Sequence, residues 1–438
     1  MSFIDTFVPP SPSKPLLQVM TGFNRVFMLK GIPVLRDLWP FSRVPLFRGL
    51  ANIRYLDFPA ADEARLAETC GPGKATFITP NHPEFFTDWM IDKEVLARVS
   101  PLAAAWATHG VVNGLGRLAQ KFWLANNLIA QIPGNSAVAR AHSVAWASQG
   151  HGVLLHPEGG VGWHNDYVAP LMPGAVEMAL EAMAAGRKSN PQFQAWVAPV
   201  VWKLAFTKDV EKPLLAECAY VERRSKVGAG ASGLSLPLRV YRIYEALLAR
   251  DEERLGLTAA HTLSFAERHA AVIAALSVNL ARMLGSEPSA GRDELLRLAR
   301  RKLRDKAALD RDVAKALRET SDALARVGRL GPFAFSGETI TQEGIAEHLK
   351  RIRNDYCEGS LRDTFNRFVP QPAGPRRAYV RVPEPLGLHD FKGSEDDALA
   401  LLRGRMQATL DALNAEIERE RPFRRYPNPF HQPQRVAA

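Results

Sequence analysis

Cysteine is scarce in this chain: Cys70, Cys218 and Cys357 lie far apart, and none belongs to a CxxC pair. That excludes a disulfide framework and a thiolate zinc site, and it fits a reducing compartment. Long apolar runs are missing too. The longest candidate, residues 195–206, carries Lys203 and falls short of the roughly 18–20 residues that a bilayer crossing needs. The opening MSFIDTFVPPSPSKP has no basic segment followed by an apolar one, so no secretory leader is expected. Acids are outnumbered, 46 against 56 Lys and Arg, which gives a formal charge of +10 and a pI near 9.6. An anionic partner follows, but nucleic acid, an anionic bilayer and a phosphorylated substrate all satisfy that condition. With 46% hydrophobic and 23% charged residues the chain can bury a real core, which excludes wholesale disorder. Its 438 residues suit two or three domains, or one domain with a large insertion.

Residues 1–58 form a basic amphipathic N-terminal region. Residues 1–15 read as a flexible arm; from Leu16 apolar residues interleave with Arg25, Lys30, Arg36, Arg43, Arg48 and Arg54 against only two acids, Asp37 and Asp57. Pro33, Pro40 and Pro45 divide this stretch into short pieces. Apolar residues mixed with cations suit helices lying in a headgroup layer, or a helix pair packed on the core with a basic face. Residues 59–249 alternate apolar runs (KATFITP, NNLIAQIP, HGVLLHP, QAWVAPVVW, LRVYRIY) with helix-like stretches, which predicts an α/β layered core with a mostly parallel sheet. Residues 250–372 are charged and helical in period, an inserted helical block. Strand character returns over 373–393 in RRAYVRVPEP. A helix is predicted over 394–420, with Ser394 and Asp397 spaced to cap its start, and the basic, Pro-rich 421–438 reads as a loose tail.

Chemistry concentrates after the strands. The first relevant strand ends in Asn81-His82-Pro83-Glu84-Phe85-Phe86-Thr87-Asp88, the second in Ile132-Pro133-Gly134, and the third in His156-Pro157-Glu158-Gly159-Gly160. Pro173-Gly174-Ala175 and Val197-Ala198-Pro199-Val200 follow. A histidine just past a strand, with a carboxylate a few residues on, can hold an Nδ1–H···carboxylate bond and leave Nε2 to take a proton from a hydroxyl. The carboxylate fixes the tautomer, as in other base–orienter pairs. Backbone N–H groups at the following helix, or near Gly159 and Gly160, are candidates to hold an oxyanion. Phe85, Phe86, Trp89 and Met90, beside the base, are candidates to line an acyl groove.

The ordered set NHP…D, PEG, PGA and VAPV resembles the blocks of the glycerolipid acyltransferases, the lysophosphatidic acid acyltransferase group, over roughly residues 60–210. The resemblance implies an α/β layered acyltransferase core at a membrane surface. It implies an acyl-CoA or acyl carrier protein thioester as co-substrate, a lipid-like acceptor, and no further cofactor, metal or nucleic acid. It makes His82 the catalytic base and Asp88 its orienting acid, and it places Glu158, Gly159 and Gly160 in the acceptor block. The pattern departs in three places. Five residues rather than four separate His82 from Asp88, with Thr87 at the usual acid position and Glu84 as an alternative partner. Gln131 or Pro133 falls near the family's phosphate-binding Arg, and Gly160-Val161 replaces its Thr-Arg. Lys203, Lys208 and Arg140 are the cations that could substitute.

Two competing functions remain at this level. One is a lipid-binding chain on the same fold that has lost activity, for which the extra residue and the missing cations speak. The other is a metal-dependent hydrolase built on His151, His156, His164 and Asp166, whose spacing matches no firm metal motif. The GAGASG run at 228–233 reads as a loop, since no strand leads into it. The favoured expectation is a cytoplasmic O-acyltransferase held peripherally at the inner face of the plasma membrane.

Overall fold

The computed structural model describes residues 7–114, 116–132, 136–227, 233–257, 263–287, 290–304, 309–331, 333–357, 359–360, 363 and 373–431. Pro133, Gly134, most of the GAGASG run and the last seven residues lie outside this set. The chain divides into two compact units, residues 1–210 with 364–423, and residues 211–363 with 424–438.

The first unit is α/β. Its strands are β1 (Ile53–Asp57), β2 (Lys74–Pro80), β3 (Ala104–Thr108), β4 (Leu128–Gln131), β5 (Gly152–Leu154) and β6 (Gln194–Phe206). The second unit contributes β7 (Thr339–Thr341), and the first resumes with β8 (Arg376–Arg381) and the short β9 (Leu386–Gly387). The sheet order is β1-β8-β6-β2-β5-β3-β4, with β9 on β6. β6, β2, β5, β3 and β4 run parallel, while β8 and β9 are antiparallel to β6. This is a mostly parallel mixed sheet, as the alternating pattern predicts.

Its central strands are covered on both faces. Along β6, Ala198, Val200, Trp202 and Leu204 join a core with Ile78, Met90, Ile91 and Val380; Ala195 and Val197 join another with Phe77, Val153, Val176 and Leu402. Alternate residues thus feed opposite layers, the period-two signature of a strand buried on both sides. The helix Glu395–Glu420 starts in a capping box between Ser394 and Asp397, as its sequence predicts.

Several expectations are corrected. LRVYRIY is not a strand but lies in the helix Leu236–Leu255. Pro237 opens that helix, Gly256 ends it in a left-handed cap, and Val240, Ile243, Tyr244, Leu247 and Leu248 bury one helical stripe. The helical block therefore begins at Glu211, not at 250. β1 and β3 were hidden, the first inside the basic region and the second in an alanine-rich stretch. The arm is held down over part of its length, because Ser11 and Ser13 donate backbone N–H bonds to Leu124 and Ala125. The tail is not loose through residue 431. A strand β10 (Arg425–Pro427) pairs antiparallel with β7, and Phe430 packs against Tyr244, Phe265, Phe335 and His348. Among the described residues, no helix is long and apolar enough to cross a membrane.

Candidate functional site

β2 and β5 are neighbours in the sheet and run parallel, so the loops leaving their carboxyl ends emerge side by side. His82 follows β2 and His156 follows β5, and their rings stack with centroids 3.9 Å apart and planes 13° from parallel. The helix Thr87–Val99 presents Asp88 and Asp92, one turn apart and therefore on one face, to these two rings. His82 Nε2 lies 2.6 Å from Asp88 Oδ2, and His156 Nε2 lies 3.1 Å from Asp92 Oδ2 and 3.9 Å from Asp88 Oδ2.

The extra residue between His82 and Asp88 is absorbed at Phe86, whose φ of 70° makes a tight turn into the helix. It brings Asp88 to the far ring nitrogen. This corrects the expected Nδ1–carboxylate bond: Asp88 faces Nε2, and Nδ1 is buried without a hydrogen-bond partner. Nδ1 is therefore the nitrogen left to accept a proton. Glu84 is not the orienting acid. It is buried, and both its oxygens accept from Arg376 Nη1, with Thr87 Oγ1 donating to it as well.

Asn81, which the sequence shows only as part of a motif, locks the end of β2. Its side chain exchanges two hydrogen bonds with the backbone of Trp202 on β6, at 3.0 and 2.9 Å. Its carbonyl accepts from His156 Nδ1 at 3.2 Å. A carbonyl only accepts, so His156 Nδ1 carries a proton. Glu158 braces the loops rather than facing the cavity: its oxygens accept the N–H of His82 at 2.7 Å and of Ala169 at 2.9 Å. Gly159 has φ +71° and a Cβ there would come within 2.5 Å of Met172 Sδ, so a glycine is needed. Its N–H donates to the His156 carbonyl, and the Trp89 N–H donates to Asp88 Oδ1, so neither serves an oxyanion in this state.

Charge follows the geometry. Burial lowers the His82 pKa, the neighbouring His156 lowers it further, and Asp88 only partly offsets this. Burial raises Asp88, but His82 and His156 outweigh it and hold the carboxyl below its ordinary range. Burial also lowers His156, yet Asp92 first and then Asp88 and Glu158 lift it to about 9. Burial pushes Asp92 up to about 6, against the pull of His156. The proton of that pair rests on the ring, since Nδ1–H is committed to a carbonyl and two carboxylates face Nε2. At neutral pH the stack is thus an uncharged His82 against a charged His156.

The site opens on a cavity of about 720 Å³. Phe85, Phe86 and Trp89 line it, with Leu17, Leu96, Trp106, Trp123 and Leu128. Met90 does not. The helix turns it about 100° from Trp89, fully into the buried core beside Ile78 and Trp202. Gln131 does not line it either, because it is exposed at the end of the edge strand β4. Lys203 is paired with Asp166, and Arg140 with Glu177 and Glu181, so neither stands in for the absent phosphate cations. Lys208 is exposed and also lies away from the lining. The cavity has its own cations, Lys14 and Lys93. Burial lowers Lys93 to about 8, and its Nζ donates to Asn126 at 3.3 Å. Nothing in the motif pattern marks it.

The structure disperses His151, His156, His164 and Asp166, and brings His82, Asp88 and His156 together instead, with ligand atoms within 4.8 Å of one another. That trio fits a metal poorly. Zinc ligands about 2.0–2.1 Å from an ion stand more than about 3 Å apart, whereas His82 and Asp88 are at hydrogen-bond separation. The lone pairs of near-parallel rings also point along lines that do not meet at one ion. A scan against protein-family models matches none, and a search of curated proteins finds no match.

Proposed function

We propose that the chain is an O-acyltransferase that moves a fatty acyl group from an acyl-CoA or acyl carrier protein thioester to the hydroxyl of a lipid-like acceptor. One observation carries this reading: a His–Asp pair 2.6 Å apart lies at the wall of a large apolar cavity, at the carboxyl ends of parallel strands. His82 accepts the hydroxyl proton at Nδ1 while Asp88 holds Nε2–H. The alkoxide attacks the thioester carbonyl, and the C–S bond breaks. The cavity volume falls within the roughly 300–1,000 Å³ of ligand sites. A buried chain gains about 0.8 kcal/mol per CH₂, so a ~14-carbon chain gains on the order of 10 kcal/mol there.

The test is release of free thiol from a panel of acyl-CoA and acyl carrier protein donors with candidate acceptors. Acceptor-dependent release from the wild type supports the reading; no release with any pair ends it. Chain length is the sharper readout. Ala107→Phe places a ring in the cavity wall. It is expected to lower turnover of long-chain donors about tenfold or more, the equivalent of about 1.4 kcal/mol, and to spare short ones. Equal loss at every chain length would remove the cavity from acyl binding.

A lipid-binding chain without turnover is favoured by the sealed Nδ1 of His82. Retained long-chain binding with no thiol release would establish it.

Membrane attachment has its own surface. Val34 is 74% exposed and Trp39 68%, with Leu38, Val44 and Leu46 also exposed; Arg36 and Arg54 of the same stretch are paired with Asp37. Exposed apolar residues over one short stretch, in a chain of formal charge +10, suit an anionic headgroup layer. Val34→Asp with Trp39→Asp is expected to release the chain from vesicles containing anionic lipid in a sedimentation assay. High salt should weaken wild-type binding in the same assay. Unchanged sedimentation would place the contact elsewhere.

A further inference from the structure

His156 and Asp92 have no task in the acyl transfer derived above, yet they are among the most constrained groups at the site. Asp92 is buried on the helix face that carries Asp88. His156 donates from Nδ1 to the Asn81 carbonyl at 3.2 Å, its Nε2 lies at ion-pair distance from Asp92 (3.1 Å) and Asp88 (3.9 Å), and its ring lies flat against His82. With Nδ1–H given to a carbonyl and two carboxylates within 3.9 Å of Nε2, the surroundings favour the doubly protonated ring, an imidazolium.

We propose that His156, held as an imidazolium by Asp92 and the Asn81 carbonyl, is a positioning residue that keeps the proton taken by His82 from staying there and drives it on to the departing thiolate. The inference rests on the acyl-transfer reading. In the first step the acceptor O–H breaks and its proton moves to His82 Nδ1 as the new C–O bond forms. His82 then carries a positive charge 3.9 Å from a second one, ring to ring. Like charges at that distance repel, so the doubly charged stack is short-lived. When the C–S bond breaks, the thiolate takes the proton from His82, and the products are an ester and a neutral thiol. Asp88 supports the same cycle from the other side, stabilising His82 during the moment it is charged.

The charged groups around the pair are Asp88 and Asp92 from the helix and Glu158 from the loop after β5. Lys14, Lys93 and His151 lie along the cavity, and Glu84, in the loop after β2, is engaged by Arg376 of β8. Of these, Asp88 opposes the effect on His82, and the stacked ring produces it. The consequence is a plateau of activity bounded on the acid side by His82, below the ordinary histidine value, and on the alkaline side near 9 by His156.

The experiment follows the ring protons of His82 and His156 by NMR titration of the full chain and measures kcat/KM against pH. Both are done for wild type, His156→Gln and Asp92→Asn. In His156→Gln, whose amide can still donate to Asn81, the His82 titration is expected to rise by about one pH unit or more, tenfold in proton affinity. The acid limb of kcat/KM should rise with it and the alkaline limb near 9 should vanish. Asp92→Asn keeps the ring and removes its counter-charge, so the alkaline limb should move down instead. Turnover with neither limb moved in either variant overturns the inference and leaves acyl transfer standing. Stoichiometric zinc in the purified chain overturns it as well. No turnover in wild type, with the His82 titration still shifted by His156→Gln, ends the acyl-transfer reading and leaves the charged stack established.

Discussion

His82→Ala is expected to lower kcat/KM for acyl transfer by about 10²–10⁴, the usual contribution of a positioned general base. That is roughly 3–5 kcal/mol of transition-state stabilisation. The size follows from what else the site lacks. Two N–H groups of the loops that carry the site are committed, Gly159 to His156 and Trp89 to Asp88, so neither replaces the proton transfer. Asp88→Asn tests the second half of the pair. The amide keeps the shape but cannot neutralise the imidazolium that forms at His82, and it turns a donor toward Nε2 in half of its orientations. A loss comparable to that of His82→Ala is expected, with the double variant little worse than either single one, because the two residues act as a unit. Both losses should come in kcat, since neither side chain supplies the apolar lining. Circular dichroism and binding of a non-reacting long-chain analogue should be unchanged. If His82→Ala retains wild-type turnover, no proton passes through this ring.

How much of this was legible in the sequence depends on what each feature requires. The parallel core announces itself because β2 and β6 are buried on both faces and so read as predominantly apolar runs, broken only by the threonines of β2 and by Lys203 within β6. That Asp88 lies beside His82 was legible because two side chains carried by one loop and the helix after it are close in the chain. The tautomer was not, because a single residue decides whether the carboxylate meets Nδ1 or Nε2, and only the turn at Phe86 shows where that residue goes. The His156–Asp92 pair was invisible for a different reason. Its members are 64 residues apart in number (156 less 92) and meet through sheet order, which spacing does not encode. Met90 looked like Trp89 by adjacency, yet neighbours in a helix are about 100° apart, and one faces the cavity while the other faces the core. The strand assigned over 238–244 failed where an alternating run of seven residues fits a helical stripe equally well until its caps are counted.

Arg376→Met is expected to destabilise the first unit by about 3–5 kcal/mol, the cost of breaking a buried ion pair from one side. Arg376 sits on β8, only 4% exposed, and spends its guanidinium on both oxygens of Glu84, at 3.0 and 2.8 Å, and on the Ala51 carbonyl at 3.0 Å. Glu84 lies between His82 and Asp88, so this pair ties the loop that joins them to a strand 292 positions away. Removing the arginine leaves a carboxylate in a site where solvent cannot replace its partner, and that desolvation dominates the loss. Replacing both members, Glu84→Met with Arg376→Met, removes the charge along with its partner and is expected to recover most of the stability. Activity should not recover in parallel. Without Glu84 to hold Thr87 and Arg376, the Phe86 turn loses its tether, and Asp88 loses its set distance from His82. Urea unfolding midpoints measured beside kcat for the two variants separate the effects. A double variant as unstable as the single one would show that the pair's geometry, and not its uncompensated charge, is what the fold depends on.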